Sequence, residues 1–467
     1  MVYSNFFSFL KEVSEKFKKI DKSETIRLIS HHDADGICSA SIMIRALENE
    51  NYKYNLSIIK QLTEIELKQY QNENFNNYVF TDLGSGQYNL IKKYLAKKTI
   101  FIFDHHTFDL NLLKNNSENI IMVNPHMFNI DGSNEISGSG VSYLFAQTLN
   151  EKNKELSYLA IIGSIGDVQE NNGFSSLNKY ILDIAINQGK IKIEKNLKYY
   201  GLETKPLYYL LAYGDIYIPN ISGKESNAIQ FLNDIGIEPK INGKWKKFND
   251  LNEKEKKQLI SSIIIKRSTL QEPENIIGNR YLLVDEPESS PLRDLKEFAT
   301  LINACGRLEK ASLGIGLCLN NPELKKKALQ LQDEYRKEII NALNWYEKNN
   351  SQHIIKSEKY IIINAKNNIM PSIIGTIASI ISNSDIPIGT LVLALAYDND
   401  SIKASLRIKT SPEKKETLNL RDLLVKLSEK TSCQAGGHKN AAGAIIPKEK
   451  EELFINEFIK LTELENY

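Results

Sequence analysis

The chain has 467 residues, too many for one ordinary hydrophobic core, so two or three domains are expected. With 42% apolar and 25% charged residues it reads as globular. A net charge of +1 excludes a globally basic nucleic-acid binder, so any groove for a polyanion must come from local clustering of basic residues. Cys38, Cys305, Cys318 and Cys433 are scattered without a C-x-x-C pair, which argues against a disulfide framework or thiolate zinc site and for a reducing cytoplasm. The first 20 residues follow helical spacing without the apolar core of a signal peptide. The apolar stretch 373–381 is too short to span a bilayer, so no membrane partner is expected.

In chain order, residues 4–20 read as an amphipathic helix. Strands are expected at 25–30, 54–59, 77–81, 99–103 and 120–123, with helices at 36–50, 63–70 and 86–96 between most of them. That alternation predicts a parallel sheet covered on both faces. A polar loop at 126–136 leads through Ser137-Gly138-Ser139-Gly140 into helices at 141–150 and 155–165. The region from 191 to 350 is Lys- and Tyr-rich and mainly helical, a connector whose segment 240–257 looks solvated. Within it Asn303-Ala304-Cys305-Gly306-Arg307 reads as a turn-like interruption. Strands return at 360–365, 389–397 and 401–408 with a helix at 373–382, followed by a Gly-rich loop, Gly436-Gly437-His438-Lys439-Asn440-Ala441-Ala442-Gly443, and a closing helix. The expected fold is therefore α/β, with three parts: a parallel-sheet domain at 1–190, the helical connector at 191–350, and a smaller mixed α/β domain at 351–467.

The chemistry concentrates where strands and helices end. Ser30-His31-His32-Asp33-Ala34-Asp35-Gly36 follows the first strand. Asp82 follows the third, Asp104-His105-His106 the fourth, and Asp167 closes the helix Gly163-Ser164-Ile165-Gly166. Taken singly, Asp82 reads more readily as a helix N-cap. Together, several aspartates and histidines at one sheet edge would repel one another unless cations sit among them. Mixed carboxylate and imidazole donors suit Mn²⁺ better than an all-oxygen Mg²⁺ site. The donors are too many for one ion, and two ions about 3.5–4 Å apart are the usual engine of phosphoester hydrolysis. Ser137 to Gly140 would either offer amides to a phosphate or be a plain serine N-cap.

This set, His-x-Asp-x-Asp-Gly, a strand-end Asp, Asp-His-His and a later Gly-Asp, resembles the DHH phosphoesterase superfamily. The late Gly-Gly-His-x-x-Ala-Ala-Gly loop resembles the signature of its DHHA1 domain. Asn303 to Arg307 is similar to an element of the RecJ exonucleases, and the length and Ser-His-His-Asp-Ala-Asp-Gly form resemble their archaeal branch most. The resemblance implies that His31, Asp33 and Asp82 hold one metal ion and that Asp35, Asp82, His105 and Asp167 hold the other. Asp82 would bridge, His106 would face the scissile phosphate, and Asp104 would orient a ligand histidine from behind. Bacterial RecJ proteins carry Asp where His31 stands, and His32 is expected only to fill the loop. Asn303, Arg307, Arg407, Gly436, Gly437 and His438 would meet the substrate. For Arg407 a surface salt bridge is the rival reading, and for the glycines a plain turn; Gly306 would leave room for a strand of nucleic acid beside Arg307.

The implied function is a two-metal exonuclease, with Mn²⁺ (or Mg²⁺) as cofactor, that releases mononucleotides from single-stranded DNA or RNA in replication, repair or RNA turnover. Stacked tyrosines would supply grip on a single strand. Two alternatives stand beside it: a phosphodiesterase for short oligonucleotides or cyclic dinucleotides, and a scaffold associated with the GINS replication complex.

Overall fold

Apolar runs bounded by turn residues become parallel strands when helices cover both faces of the sheet they form. The computed structural model describes residues 3–464 except 116, 171–172, 215, 271, 350–352, 385, 410–417, 432 and 440. It opens with α1 (Ser4–Phe17), then alternates β1 (Thr25–His31), α2 (Ala34–Asn49), β2 (Lys53–Ile59), α3 (Glu64–Gln71), β3 (Asn77–Thr81), α4 (Tyr88–Tyr94), β4 (Thr99–Phe103) and β5 (Ile120–Val123). All five strands run parallel, in the order β2-β1-β3-β4-β5. On one face Tyr78, Phe80, Ile100 and Ile102 pack with Tyr70, Tyr88 and Ile91 of α3 and α4. On the other, Phe17 meets Phe101 with ring centres 4.9 Å apart. On that face too Phe103 lies 4.3 Å from Phe145 of α5 (Gly138–Leu149). The strand order turns back at β1, which has β2 on one side and β3 on the other. Ligands of open α/β sheets bind beyond the carboxyl ends of the strands at such a switch point.

α6 (Ser157–Gly166) and α5 pack on α2, and α7 (Ser176–Asn187) follows on α6. The middle region then contributes β6 (Ile191–Leu197), α8 (Leu207–Tyr213), α9 (Glu225–Asp234), a short hairpin of β7 (Lys240–Ile241) and β8 (Lys244–Trp245), α10 (Glu253–Lys266) and β9 (Ile277–Leu283). The antiparallel β6–β9 pair joins segments some 80 residues apart, a pairing that no local periodicity announces. Leu202, Leu210, Phe231, Phe248 and Leu259 form a core of their own. Residues 240–257 are not a solvated run: Phe248 and Leu251 are buried, and so is Lys246, whose ammonium reaches Glu255 at 3.0 Å. The charges here sit around two apolar anchors, and composition alone hid them.

α11 (Leu295–Arg307), α12 (Ala311–Cys318) and α13 (Pro322–Lys348) follow. The expected turn at Asn303 to Arg307 is instead the end of α11. Gly306 is there for contact: a Cβ on it would overlap the His32 carbonyl oxygen. That space, expected to be left for nucleic acid, is filled by the backbone of the loop after β1.

The chain divides into two compact units, Met1–Leu329 and Gln330–Tyr467. The second contains β10 (Ile354–Lys356), β11 (Tyr360–Asn364), α14 (Ile374–Ser382), β12 (Leu391–Asp398), β13 (Ser401–Ile408), α15 (Leu420–Thr431), β14 (Gln434–His438), β15 (Ala441–Pro447) and α16 (Glu451–Leu464). Its mixed sheet runs β10-β11-β12-β13-β15-β14, with only β11–β12 parallel, over a core of Leu393, Leu406, Leu424, Phe454 and Phe458. The expected Gly-rich loop is the hairpin β14–β15, with Gly436 opposite Gly443 and Gly437 opposite Ala442. No described helix is long and apolar enough to cross a membrane.

Candidate metal centre

Three strand ends and one helix end converge at the switch point. After β1, Asp33 caps α2 and accepts from the Gly36 amide at 2.9 Å. Gly36 lies so close to the strand that a Cβ would overlap the His31 carbonyl oxygen, so the turn requires glycine. Asp35, in the first turn of α2, is buried. Its two carboxylate oxygens accept from the Gly138 amide at 2.7 Å and the Ser139 amide at 3.0 Å, at the N-terminus of α5. These amides therefore hold Asp35 rather than receiving a phosphate. Ser137 is the N-cap, accepting from the Gly140 amide at 3.3 Å.

Asp82 adopts φ +57°, which is uncommon for a non-glycine residue, and its amide donates to the Phe103 carbonyl at 2.8 Å across the β3–β4 edge. Its carboxylate is buried, and neither oxygen meets a hydrogen-bond donor in good geometry. His105 Nε2 stands 3.2 Å from Asp82 Oδ1, 3.7 Å from Asp35 Oδ2 and 3.9 Å from Asp167 Oδ2. His31 Nδ1 is 2.9 Å from Asp33 Oδ2 and 3.5 Å from Asp82 Oδ2. The ligand atoms of His31, Asp33 and Asp82 lie within 4.8 Å of one another, as do those of Asp35, His105 and Asp167, and those of Asp82, His105 and His106.

A buried carboxylate without hydrogen-bond donors is costly unless a cation faces it, and Asp82 stands between the two other clusters. The mixed imidazole and carboxylate donors fit divalent ions such as Mn²⁺ or Mg²⁺. Without an ion, protons do part of that work. Burial pushes Asp35 up to about 7, reinforced by Asp82. Burial opposes charge on His105 and His31, yet the facing aspartates hold both well above the usual histidine value. Ligands bind metal deprotonated, so loading this site releases protons.

Asp104 holds the ring of His106 rather than that of His105. Its Oδ1 lies 2.7 Å from His106 Nδ1, and its Oδ2 accepts from the Ser85 amide at 2.9 Å. His105 instead directs Nδ1 to the Gly132 carbonyl at 2.6 Å, leaving Nε2 toward the aspartates. Asn303, expected to meet substrate, accepts from the Ala34 amide at 2.8 Å and so pins the loop that carries Asp33 and Asp35. His32 is more than filler, because its carbonyl seats Gly306. Arg307 ends α11 half-buried. In the second unit Arg407 donates to Ser379 Oγ at 3.0 Å and to the Leu406 carbonyl at 2.8 Å. Gly437 has φ +126° and no room for a Cβ, which would lie 2.6 Å from the Ala441 carbonyl oxygen, whereas Gly436 faces open space. The side chain of His438 and all of Asn440 lie outside the described residues. Sequence reasoning missed Gln169 and Asn178, which back the ligands; their only signal is amide side chains close to Asp167 in sequence.

Residues 25–164 match the N-terminal domain of the DHH family, 199–277 match the DHH-CID domain, and 357–463 match the DHHA1 domain. About half of the middle region, where no motif was legible before Asn303, thus falls in a family domain of its own. The chain is 33% identical over 459 residues to the uncharacterized protein MJ0831 of Methanocaldococcus jannaschii, covering 96% of each chain. Among solved structures it shares its fold with RecJ of Thermus thermophilus in complex with Mn²⁺ (TM-score 0.60, 15% identity, 98% of this chain and 55% of that one). It also overlays CDC45 from Entamoeba histolytica (TM-score 0.64, 13% identity, 97% and 98%). An exonuclease RecJ bound to manganese is a further match (TM-score 0.56, 16% identity, 97% and 94%). This chain thus spans little more than half of the Thermus protein.

Proposed function

The chain belongs to the DHH family as a RecJ-like protein with a DHHA1 domain, and on that premise we propose that it is a two-metal exonuclease releasing mononucleotides from single-stranded DNA or RNA. The observation that carries the reading is Asp82, whose two buried oxygens stand between the His31/Asp33 cluster and the Asp35/His105/Asp167 cluster. Residues 1–190 would carry the metals, 191–350 the connector, and 351–467 the phosphate grip, through Arg407, Gly436, Gly437 and His438.

His31, Asp33 and Asp82 would hold one ion, and Asp35, Asp82, His105 and Asp167 the other. The bound pair supplies charge neutralisation at the phosphoryl oxygens and acidifies the attacking water. Asp104 fixes the His106 ring through Nδ1, so Nε2 is the atom left to donate to a non-bridging phosphate oxygen. Burial opposes the positive charge on His106 while Asp104 favours it, with the net effect upward, so the donor form persists toward neutral pH.

A groove of about 670 Å³ in the first unit begins at Ile165 and Glu170, which flank Asp167 in sequence, and is lined further on by Lys198, Tyr200, Tyr217, Arg267 and Lys296. Cations interleaved with tyrosines suit a single strand, whose bases stack while its phosphates meet the charges. A groove of this kind favours a strand over a dinucleotide as substrate.

The test is digestion of 5′- and 3′-labelled single-stranded DNA and RNA with Mn²⁺ or Mg²⁺. One label should appear first as mononucleotide, and Asp82→Ala should lower the rate about 10²–10³-fold, as expected when electrostatic stabilisation of this kind is lost. Internal cleavage, or an activity maximum at two to five residues, would overturn the exonuclease reading. A second reading, a place in a GINS-containing replication assembly, is favoured by the fold shared with a CDC45. Under that reading Asp82→Ala keeps partner binding intact.

A further inference from the structure

Ser137, Ser139, Ser164 and Asn178 are polar residues on the largely apolar α5, α6 and α7, at their caps or within them, and all are fully buried. Gln169, just beyond α6, is 4% exposed. Burying five such side chains is unfavourable unless each is satisfied. Here each is satisfied by the next, and the chain of bonds ends on metal ligands at both ends.

Gln169 directs its amide Nε2 to two acceptors, Asp167 Oδ2 at 2.8 Å and the Gly132 carbonyl at 2.9 Å. The same carbonyl accepts from His105 Nδ1. One amide group thus touches Asp167 directly and shares an acceptor with His105. An amide can be placed either way round, and the wrong way would set its carbonyl against a carboxylate and a carbonyl. Those two acceptors therefore fix Nε2 toward Asp167, and Asn178 fits the same placement, its Nδ2 donating to Gln169 Oε1 at 2.7 Å. Asn178 Oδ1 lies 3.0 Å from Ser164 Oγ, whose single proton it shares as an acceptor with the Ala160 carbonyl at 2.9 Å. Ser164 lies 3.0 Å from Ser137, Ser137 lies 2.9 Å from Ser139, and the Ser139 amide donates to Asp35 Oδ1. Asp35, His105 and Asp167 are therefore backed by one continuous buried network.

His31 and Asp33 are built differently. They sit at the rim, with side chains 24% and 40% exposed, tied to the turn at Gly36. Between Asp167 and Gln169, Val168 is 60% exposed with φ +60°, a strained conformation for a β-branched residue that persists only where its surroundings enforce it. Gln169 is the buried anchor immediately after it.

We propose that Gln169 and Asn178 are positioning residues that hold Asp167 and His105 in metal-binding geometry, so that the ion bound by Asp35, Asp82, His105 and Asp167 depends on them and the ion bound by His31, Asp33 and Asp82 does not. The proposal rests on the two-metal reading of the site but not on hydrolysis, and its test measures binding. Metal-free full-length protein is titrated with Mn²⁺ by calorimetry, with circular dichroism and thermal melting as the control for folding. Wild type should bind two ions. Gln169→Glu, nearly the same shape, replaces the Nε2 donor with an acceptor facing Asp167 and the Gly132 carbonyl. It should weaken one ion by about 10–100-fold, the usual cost of losing an outer-shell partner, and leave the other unchanged. Asn178→Leu, which removes the donor to Gln169 Oε1, should weaken the same ion.

Two ions bound with unchanged affinity by a folded Gln169→Glu protein would overturn this proposal alone. Equal weakening of both ions would do so as well, because it is the signature of a general structural role. If Gln169→Glu does not fold, Asn178→Leu decides by the same criteria, and failure of both to fold overturns the proposal in favour of a purely structural network. A wild type that binds no divalent ion overturns the metal-site reading and this proposal with it. A wild type that binds two ions without cleaving nucleic acid overturns only the exonuclease reading.

Discussion

Asp104 and His106 show how one hydrogen bond sets a side chain's chemistry. Asp104 is buried and held well below the ordinary carboxylate value, with desolvation outweighed by His106, His105 and the Ser85 amide. Its partner His106 is shifted upward in turn. A histidine whose pKa is raised keeps its proton below that pKa and loses it as pH rises through it. If His106 donates to the phosphate, activity should fall on the alkaline side as it deprotonates. Asp104→Asn removes the charge that raises it, so the fall should begin at lower pH and kcat at neutral pH should drop about 10²-fold, within the usual range for a proton-donating side chain. Mn²⁺ stoichiometry should stay at wild type. A pH–rate profile beside a metal titration checks both, and an unmoved alkaline limb removes His106 as the donor.

Among the elements, the metal centre depends on how closely α11 approaches the loop after β1. Gly306 presses on the His32 carbonyl, and Asn303 one turn earlier accepts from the Ala34 amide, so α11 braces the strand end carrying His31, Asp33 and Asp35. Gly306→Ala cannot be absorbed by a flexible side chain, because the atom in the way is backbone. The variant should lose about 1–3 kcal/mol of stability, typical of forced overpacking, and should weaken the Mn²⁺ ion held by His31 and Asp33. Denaturant unfolding and calorimetry on the same preparation test this. A variant of wild-type stability would mean that α11 can back away freely. The sequence showed Asn303 to Arg307 as a motif, but not that its work is helix-on-loop packing some 270 residues back along the chain.

Across the full chain, the proposed chemistry and the proposed strand grip fall on different segments. The candidate metal ligands come from residues 31–167, whereas most of the groove that begins at Ile165 and Glu170 comes from the CID region and its flanks, including Tyr217, which is 59% exposed. Tyr217→Ala should raise KM for long single strands several-fold, in line with the stacking contribution of about 1–3 kcal/mol per base. It should leave turnover of a dinucleotide unchanged. Steady-state kinetics over a length series separates the two, and equal effects at every length would take the substrate out of this groove.

The local elements and the kind of chemistry were legible in the order of residues. Strands 77–81, 99–103 and 120–123 were readable because buried parallel strands are short uninterrupted apolar runs, and the candidate ligands were readable because carboxylates and imidazoles cluster where such strands stop. Which partner each polar group takes was settled by folding alone. The fold gave the α5 amides to Asp35, Asp104 to the ring of His106 rather than that of His105, Asn303 to a backbone amide, and Gln169 to Asp167. The difference is one of range. Periodicity and capping act over a few residues and leave a mark in the sequence, whereas a buried hydrogen bond needs only that two groups end up within about 3 Å, whatever their separation along the chain.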